Sequence, residues 1–266
     1  MDLQNFLSDM WKDYCDINPQ AAKIHQLLTA QGEKVVNDHI ALRTFNHPRL
    51  GGIKSMAKHF LDLGYIEKDE YFFKEKKLYA RHYEHKDGKQ PKIFISELEL
   101  EKMSPFVQKT VDQVVSQMDT SIMQTPKFIM AGRPWEMNSM TYEKLALESE
   151  YASWVAAWGF RPNHFTVSVN HLNKFKHLPT LNTFLKAQGF KLNGSGGEIK
   201  GTPRDYLEQS STMAADVPIT FNDGSRKIPG CYYEFALRHR LPNGEYYQGF
   251  VAKSADKIFE STNRAK

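Results

Sequence analysis

The sequence predicts an α+β protein made of two copies of a βαβββ unit, with added helices at the N-terminus and between the copies. Three observations carry this. The apolar period changes from helical to strand-like after residue 36, the same order of elements returns after residue 160, and one spacing recurs. His39 and Gly64 are 25 residues apart, as are His164 and Gly189.

Residues 1–36 read as two helices. Leu3, Phe6, Leu7, Met10 and Trp11 recur at helical spacing, and a second helix opens at Pro19 and stops at Gly32, the usual asymmetry of helix ends. Residues 37–100 form the first unit: NDHIALRTF as a strand, GGIKSMAKHFLDLGY as a helix ending near Gly64, then EYFFKEKK, LYARHYEH and PKIFISELEL as strands. Residues 101–160 are a helical insertion. Residues 161–266 form the second unit, with NHFTVSVN as its first strand and LPTLNTFLKAQGF as its helix. KLNGSGGEIKG and YLEQSSTMA are weaker strand candidates, GCYYEFALRHR is the final strong one, and YYQGFVAK is an added edge. Together the segments make one catalytic domain.

Composition narrows the function classes. With 41% hydrophobic and 25% charged residues, the 266-residue chain has the mix of a folded globular protein. Its net charge of +4 is spread along the chain with no basic arm, which argues against nucleic acid and suits a small anionic substrate. No apolar run reaches membrane-spanning length, and the acidic N-terminus lacks the pattern of a secretory signal. Two cysteines, Cys15 and Cys231, cannot build a disulfide framework. A cytoplasmic location follows as the expectation; the sequence leaves the oligomeric state open.

Strand parity gathers the polar residues. Along the first strand His39, Ala41, Arg43 and Phe45 share a face, and in the second unit His164, Thr166, Ser168 and Asn170 do. In the last strand Glu234 shares a face with Tyr232, Ala236 and Arg238. A carboxylate inside so apolar a run needs a partner. Two histidines at matching repeat positions complete the 2-His-1-carboxylate set of non-haem iron oxygenases, so His39, His164 and Glu234 are candidate metal ligands. Zinc accepts the same set, and the ligands alone do not choose between the metals. The plainer reading pairs Glu234 with Arg43 or Arg238 and leaves the histidines as core or surface groups.

The remaining histidines are expected to be structural or solvated; His82 and His85, for example, differ by three and fall on opposite faces. Glu97 occupies roughly the place in the first unit that Glu234 has in the second, and is not expected to be a ligand. Gln209 and Ser211 alternate on one face of a further strand that could line a cavity, which makes them candidate substrate contacts, although an exposed strand or loop is the plainer reading for either.

NDHIALRTF, RPNHFTVSVN and PGCYYEFALR resemble the motifs of the 2-oxoadipate dioxygenase/decarboxylase family, formerly a domain of unknown function, within the vicinal oxygen chelate superfamily and similar to hydroxymandelate synthase. The resemblance spans about residues 35–250, and it implies that the two units form a cupped sheet around a metal site. It implies Fe(II) on His39, His164 and Glu234, substrate on Arg43, no catalytic residue beyond the metal ligands, and oxidative decarboxylation of 2-oxoadipate by O2 to 2-hydroxyglutarate and CO2, a reaction of lysine catabolism. Four residues along a strand separate the Cα atoms of His39 and Arg43 by about 13 Å, so a dicarboxylate held at its 2-oxo end could offer its far carboxylate to the guanidinium. Family members are longer, with insertions that enclose substrate, which leaves a shorter 2-oxo acid open as substrate.

Two other functions compete. One is a metal-dependent isomerase, lyase or hydrolase on the same scaffold, and the other a non-catalytic binding protein for small ligands. Oxygen consumption and metal retention separate them.

Overall fold

Glycine positions tie the two halves of the chain to one plan. The structure, a computed structural model, describes residues 2–263. In the first half β1 (Asn37–Phe45) leads into α3 (Gly52–Leu61), and in the second β5 (Pro162–Ser168) leads into α7 (Leu178–Ala187). Gly64 and Gly189 follow these helices with φ of +96° and +86°, the left-handed conformation that ends a helix and that glycine adopts without a Cβ penalty. The shared 25-residue spacing is therefore a shared strand, helix and helix stop.

The first unit is complete. After α3 come β2 (Tyr65–Phe73), β3 (Leu78–His85) and β4 (Lys92–Leu98), in spatial order β2-β3-β4-β1. The second unit keeps only part of that pattern. Its strands β6 (Leu207–Ser211) and β9 (Tyr232–Arg238) give the order β5-β9-β6. KLNGSGGEIKG, expected as a strand, makes only the isolated bridges Leu192–Thr212 and Lys200–Gln209. Gly196, Gly197 and Gly201 all have positive φ there, which breaks a ladder. The YYQGFVAK edge is also absent: residues 241–250 are irregular apart from one bridge, and a helix, α8 (Ala252–Ile258), follows. An unforeseen hairpin of β7 (Asp216–Phe221) and β8 (Gly224–Pro229) forms a separate two-stranded sheet.

β1 pairs antiparallel with β5, so both units merge into one seven-stranded sheet, β2-β3-β4-β1-β5-β9-β6. Neighbouring strands lie about 4.8 Å apart, which puts β1 and β9 about 10 Å apart along the sheet. The sheet is curled, and on its inner face the side chains of His39 on β1 and Glu234 on β9 lean together over β5 until Nε2 lies 3.5 Å from Oε1.

The convex face is apolar, as the alternation predicts. There α1 (Leu3–Ile17), capped by the Asp2 carboxylate, lays Phe6, Met10 and Tyr14 on the sheet. Phe165 of β5 lies with its ring centroid 5.1 Å from Trp11 and 4.9 Å from Tyr14. Next to it α2 (Pro19–Ala30) starts at its proline, and α3 and α7 cover the outer strands. Phe165→Ala should cost about 3–5 kcal/mol in denaturant unfolding, the usual loss for a fully buried aromatic. A cost below about 1 kcal/mol would mean that α1 does not close this core.

The insertion contributes α4 (Pro105–Ser116), α5 (Ser139–Glu148) and α6 (Glu150–Trp158). Every residue of α6 from Tyr151 to Trp158 is buried, and the helix lies over the concave face. Its Trp154 and Trp158 indoles donate to the carbonyls of Gly230 and Pro229 at 2.7 and 2.8 Å, which fixes it beside β9. The segment after β9 covers the remainder, with Phe250 against His39 and Phe259 beside Arg43. No helix among the described residues is long and apolar enough to cross a membrane.

Candidate metal centre

Strand register draws two rows of side chains across the concave face. His39 pairs with Thr166, Thr166 with Glu234, and Glu234 with Ser211; beside that row Ala41 pairs with His164 and His164 with Tyr232. The rows bring His39, His164 and Glu234 together, with ligand atoms all within 4.8 Å of one another. His39 Nε2 is 3.5 Å from Glu234 Oε1 and His164 Nε2 is 3.3 Å from Oε2, with the three residues 2%, 5% and 1% exposed.

Each ligand is held from behind. His39 Nδ1 meets Asp38 Oδ1 at 2.8 Å, His164 Nδ1 meets Asn163 Oδ1 at 3.1 Å, and Gln209 Nε2 donates to Glu234 Oε1 at 2.5 Å. The Tyr232 ring stacks on His164 at 4.5 Å, and Phe250 presents its edge to His39 at 4.8 Å. Arg238 grips Asp38 with two bonds of 2.7 and 2.9 Å.

Burial governs the electrostatics of the three side chains. Burial pushes the Glu234 carboxyl above its ordinary value, against the pull of His39 and the Gln209 hydrogen bond. Burial, with His39 and Arg43 nearby, drives the His164 imidazole well below its usual range and so keeps it neutral, as a ligand must be. Burial alone would raise the Asp38 carboxyl, but the charge and hydrogen bonds of Arg238 and His39 outweigh it and hold Asp38 well below the carboxylate range. The plainer pairing of Glu234 with an arginine does not occur, because Arg43 pairs with Glu150 at 2.8 Å and Arg238 with Asp38. Two imidazole nitrogens and a carboxylate, converging in the buried interior, fit a divalent metal.

Arg43 lies on the same concave face, 1% exposed. Its guanidinium sits 4.9 Å over Tyr151 and 5.2 Å over Trp154, with Nη1 on Glu150 and Nη2 3.3 Å from Thr262 Oγ1. Burial opposes its charge, and Glu150 more than restores it. Gln209 and Ser211, for which an exposed strand or loop was the plainer expectation, are instead both buried in this wall; Ser211 bonds Ser261 at 2.8 Å. Among the buried polar atoms around this centre that lack partners are Arg43 Nε, Gln209 Oε1, the Asn163 amide nitrogen and the Tyr232 hydroxyl.

Glu97 requires a correction. Register matches His39–Lys92 with His164–Tyr232, so the counterpart of Glu234 is Phe94, two residues past Lys92. Glu97 points to the opposite face and accepts from the Ile53 amide at the start of α3. Asp38, Asn163 and Glu150 were absent from the sequence reading, which named Tyr232 and Arg238 only as neighbours of Glu234 on its strand face; Asp38 and Asn163 directly precede His39 and His164, and parity assigns that place to the wrong face.

Lys200 lies 3% exposed beside Gln209, its ammonium bonded to the Asn193 carbonyl, and burial lowers it to about 8. The folded state then holds fewer protons than the unfolded chain between pH 8 and the ordinary lysine value of about 10.4, so this residue makes stability rise with pH across that window. Wild-type stability minus that of Lys200→Met should therefore increase from pH 8 to 10; a flat difference would mean that Lys200 titrates normally.

The duplicated, concave sheet with two histidines and a glutamate on its inner face is the vicinal oxygen chelate architecture. The chain matches the sequence profile of 2-oxoadipate dioxygenase/decarboxylase over residues 3–132 and 129–246, and it belongs to that family. A rice protein named chloroplastic/amyloplastic 2-oxoadipate dioxygenase/decarboxylase is 35% identical over 97% of this chain and 78% of its own length. The crystal structure of a rice hydroxyglutarate synthase in complex with 2-oxoadipate is similar with a TM-score of 0.92 and 35% identity, covering 98% of this chain and 91% of that one. A Shewanella frigidimarina NCIMB 400 protein with the provisional description of a hydrolase is 50% identical, with a TM-score of 0.90 over 94% of this chain and 98% of that one.

Proposed function

We propose that the protein is an Fe(II)-dependent (Fe2+) dioxygenase/decarboxylase that converts 2-oxoadipate and O2 into 2-hydroxyglutarate and CO2, as one catalytic domain in the cytoplasm. One observation carries the reading: a buried His39–His164–Glu234 face with Arg43 four residues along the same strand face. His39, His164 and Glu234 would hold the metal on one side and leave the other to substrate and oxygen. Bound iron supplies the oxygen binding and the redox steps of decarboxylation and hydroxylation.

The chain's own groups do the rest. Arg43 receives the far carboxylate of the substrate, for which its unpartnered Nε–H is the free donor. Gln209 keeps Glu234 turned to the metal, and its free Oε1, like the Tyr232 hydroxyl, can meet polar atoms of the substrate. Ser211 closes the wall by binding Ser261. Phe250 and Trp154 keep water from the reacting end, where it would compete with substrate. The unpaired thiols of Cys15 and Cys231 suit a reducing compartment.

The description of the Shewanella relative favours weighing a second reading, in which the same ligands activate water for hydrolysis without using oxygen. An oxygen-electrode trace decides. Protein loaded anaerobically with Fe(II) and mixed with 2-oxoadipate in air-saturated buffer should consume one O2 per CO2 released, while His164→Ala consumes none. No uptake by iron-loaded wild type would reject 2-oxoadipate oxidation.

A further inference from the structure

The β1–β5 pairing is irregular at two places, and both adjoin a ligand histidine. From Asn37 to His39 β1 advances two residues while β5 moves one, from Val167 to Thr166; Asp38 is the extra residue of a β-bulge. From Pro162 to His164 β5 spans two residues while β1 moves one, from Ala41 to Leu42; the extra residue is Asn163. The bulges hold the same position in the two units, each one residue before the histidine.

Regular alternation would turn Asp38 and Asn163 to the face opposite their histidines. The bulges bring them round instead, so that Asp38 Oδ1 meets Nδ1 of His39 and Asn163 Oδ1 meets Nδ1 of His164. An acceptor at Nδ1 places the ring proton there and leaves the Nε2 lone pair facing inward, where that of His39 meets the Thr166 hydroxyl at 3.0 Å and lies 3.5 Å from Glu234, and that of His164 lies 3.3 Å from Glu234. Asn163 is otherwise a poor residue for its position, since its amide nitrogen is buried without an acceptor.

The two supports differ in charge. Asp38 is a carboxylate clamped by Arg238, whose Nη1 is fixed by the carbonyls of Tyr247 and Gly249, both at 2.9 Å. Asn163 is neutral. A carboxylate behind an imidazole raises its basicity as a ligand more than an amide oxygen does.

We propose that the paired bulges are a duplicated positioning device in which Asp38 and Asn163 fix the tautomer and aim of the metal-binding histidines, Asp38 making His39 the stronger ligand. The inference rests on the metal reading of the site. It is tested on metal-free full-length protein by titrating Co(II) against a competing chelator, with histidine tautomers read by long-range 1H–15N NMR. Asn163→Leu should weaken Co(II) about 10-fold and release His164 from the single Nδ1–H form. Asp38→Asn should weaken it more, up to about 100-fold.

Asp38→Asn leaves Arg238 short of a counter-charge and could fail to fold, which thermal melts of the metal-free protein detect. Asn163→Leu strands no charge and keeps the test open. Wild-type cobalt affinity and unchanged tautomers in folded Asn163→Leu would overturn the proposal while leaving the metal reading intact. Wild type that binds no cobalt would overturn both.

Discussion

Glu234→Gln should abolish metal retention and oxygen uptake while leaving the metal-free protein as stable as wild type, or more so. The carboxylate lies 1% exposed with burial raising its proton affinity, and neither nearby arginine pairs with it. In the absence of metal its charge is thus a cost to folding, and the neutral amide removes that cost while keeping the shape. With metal the order reverses, because a ligand that binds only the folded state stabilises it by about 4 kcal/mol at a thousand times its dissociation constant. Affinity for Fe(II) or Co(II) should fall more than 100-fold, beyond the loss expected from removing an outer partner. The paired melts, with and without metal, separate this from unfolding; a variant holding metal like wild type would remove Glu234 from the ligand set.

Arg43→Ala should raise KM for 2-oxoadipate about 30-fold or more while metal stays bound. Truncating one side of a buried charge pair costs about 2–5 kcal/mol, and each 1.4 kcal/mol is tenfold. The same change should lower stability by about 3–5 kcal/mol, because Glu150 loses its guanidinium and three aromatic rings lose their cation. Arg43→Lys restores the charge without the planar fork, so it should recover much of the stability and little of the substrate affinity. Loss of metal from folded Arg43→Lys would contradict the division of labour between Arg43 and the three ligands.

Much of the centre was legible in the sequence because strands obey a strict period. Counting in twos from His39 reaches Arg43, from His164 reaches Thr166, and from Glu234 reaches Tyr232, and all of these line the concave face. The His-to-Gly spacing survived because a helix stop needs a left-handed residue in both units. The same rule failed at Asp38 and Asn163, where each bulge breaks the count by one. It failed also for Glu97, whose relation to Glu234 depended on strand register and not on sequence distance. The covering segment with Phe250 and Phe259 was hidden for another reason: its contacts are long-range and leave no periodic trace.

Phe94, standing where a symmetric repeat would have a second Glu234, gives the cup a direction. The two units contribute equivalent histidines but only one carboxylate, so the duplication has been broken at a single register position. Phe94 there packs against Phe250 at 4.9 Å. The side of the cup without a carboxylate is therefore the first unit's, the half that also carries Arg43. Neither unit could rebuild the centre by pairing with its own copy, for two first units lack the glutamate and two second units lack the arginine. One glutamate and one arginine on an otherwise repeated plan give this face two unlike sides, and under the proposed reading the asymmetric substrate lies along the one that carries Arg43.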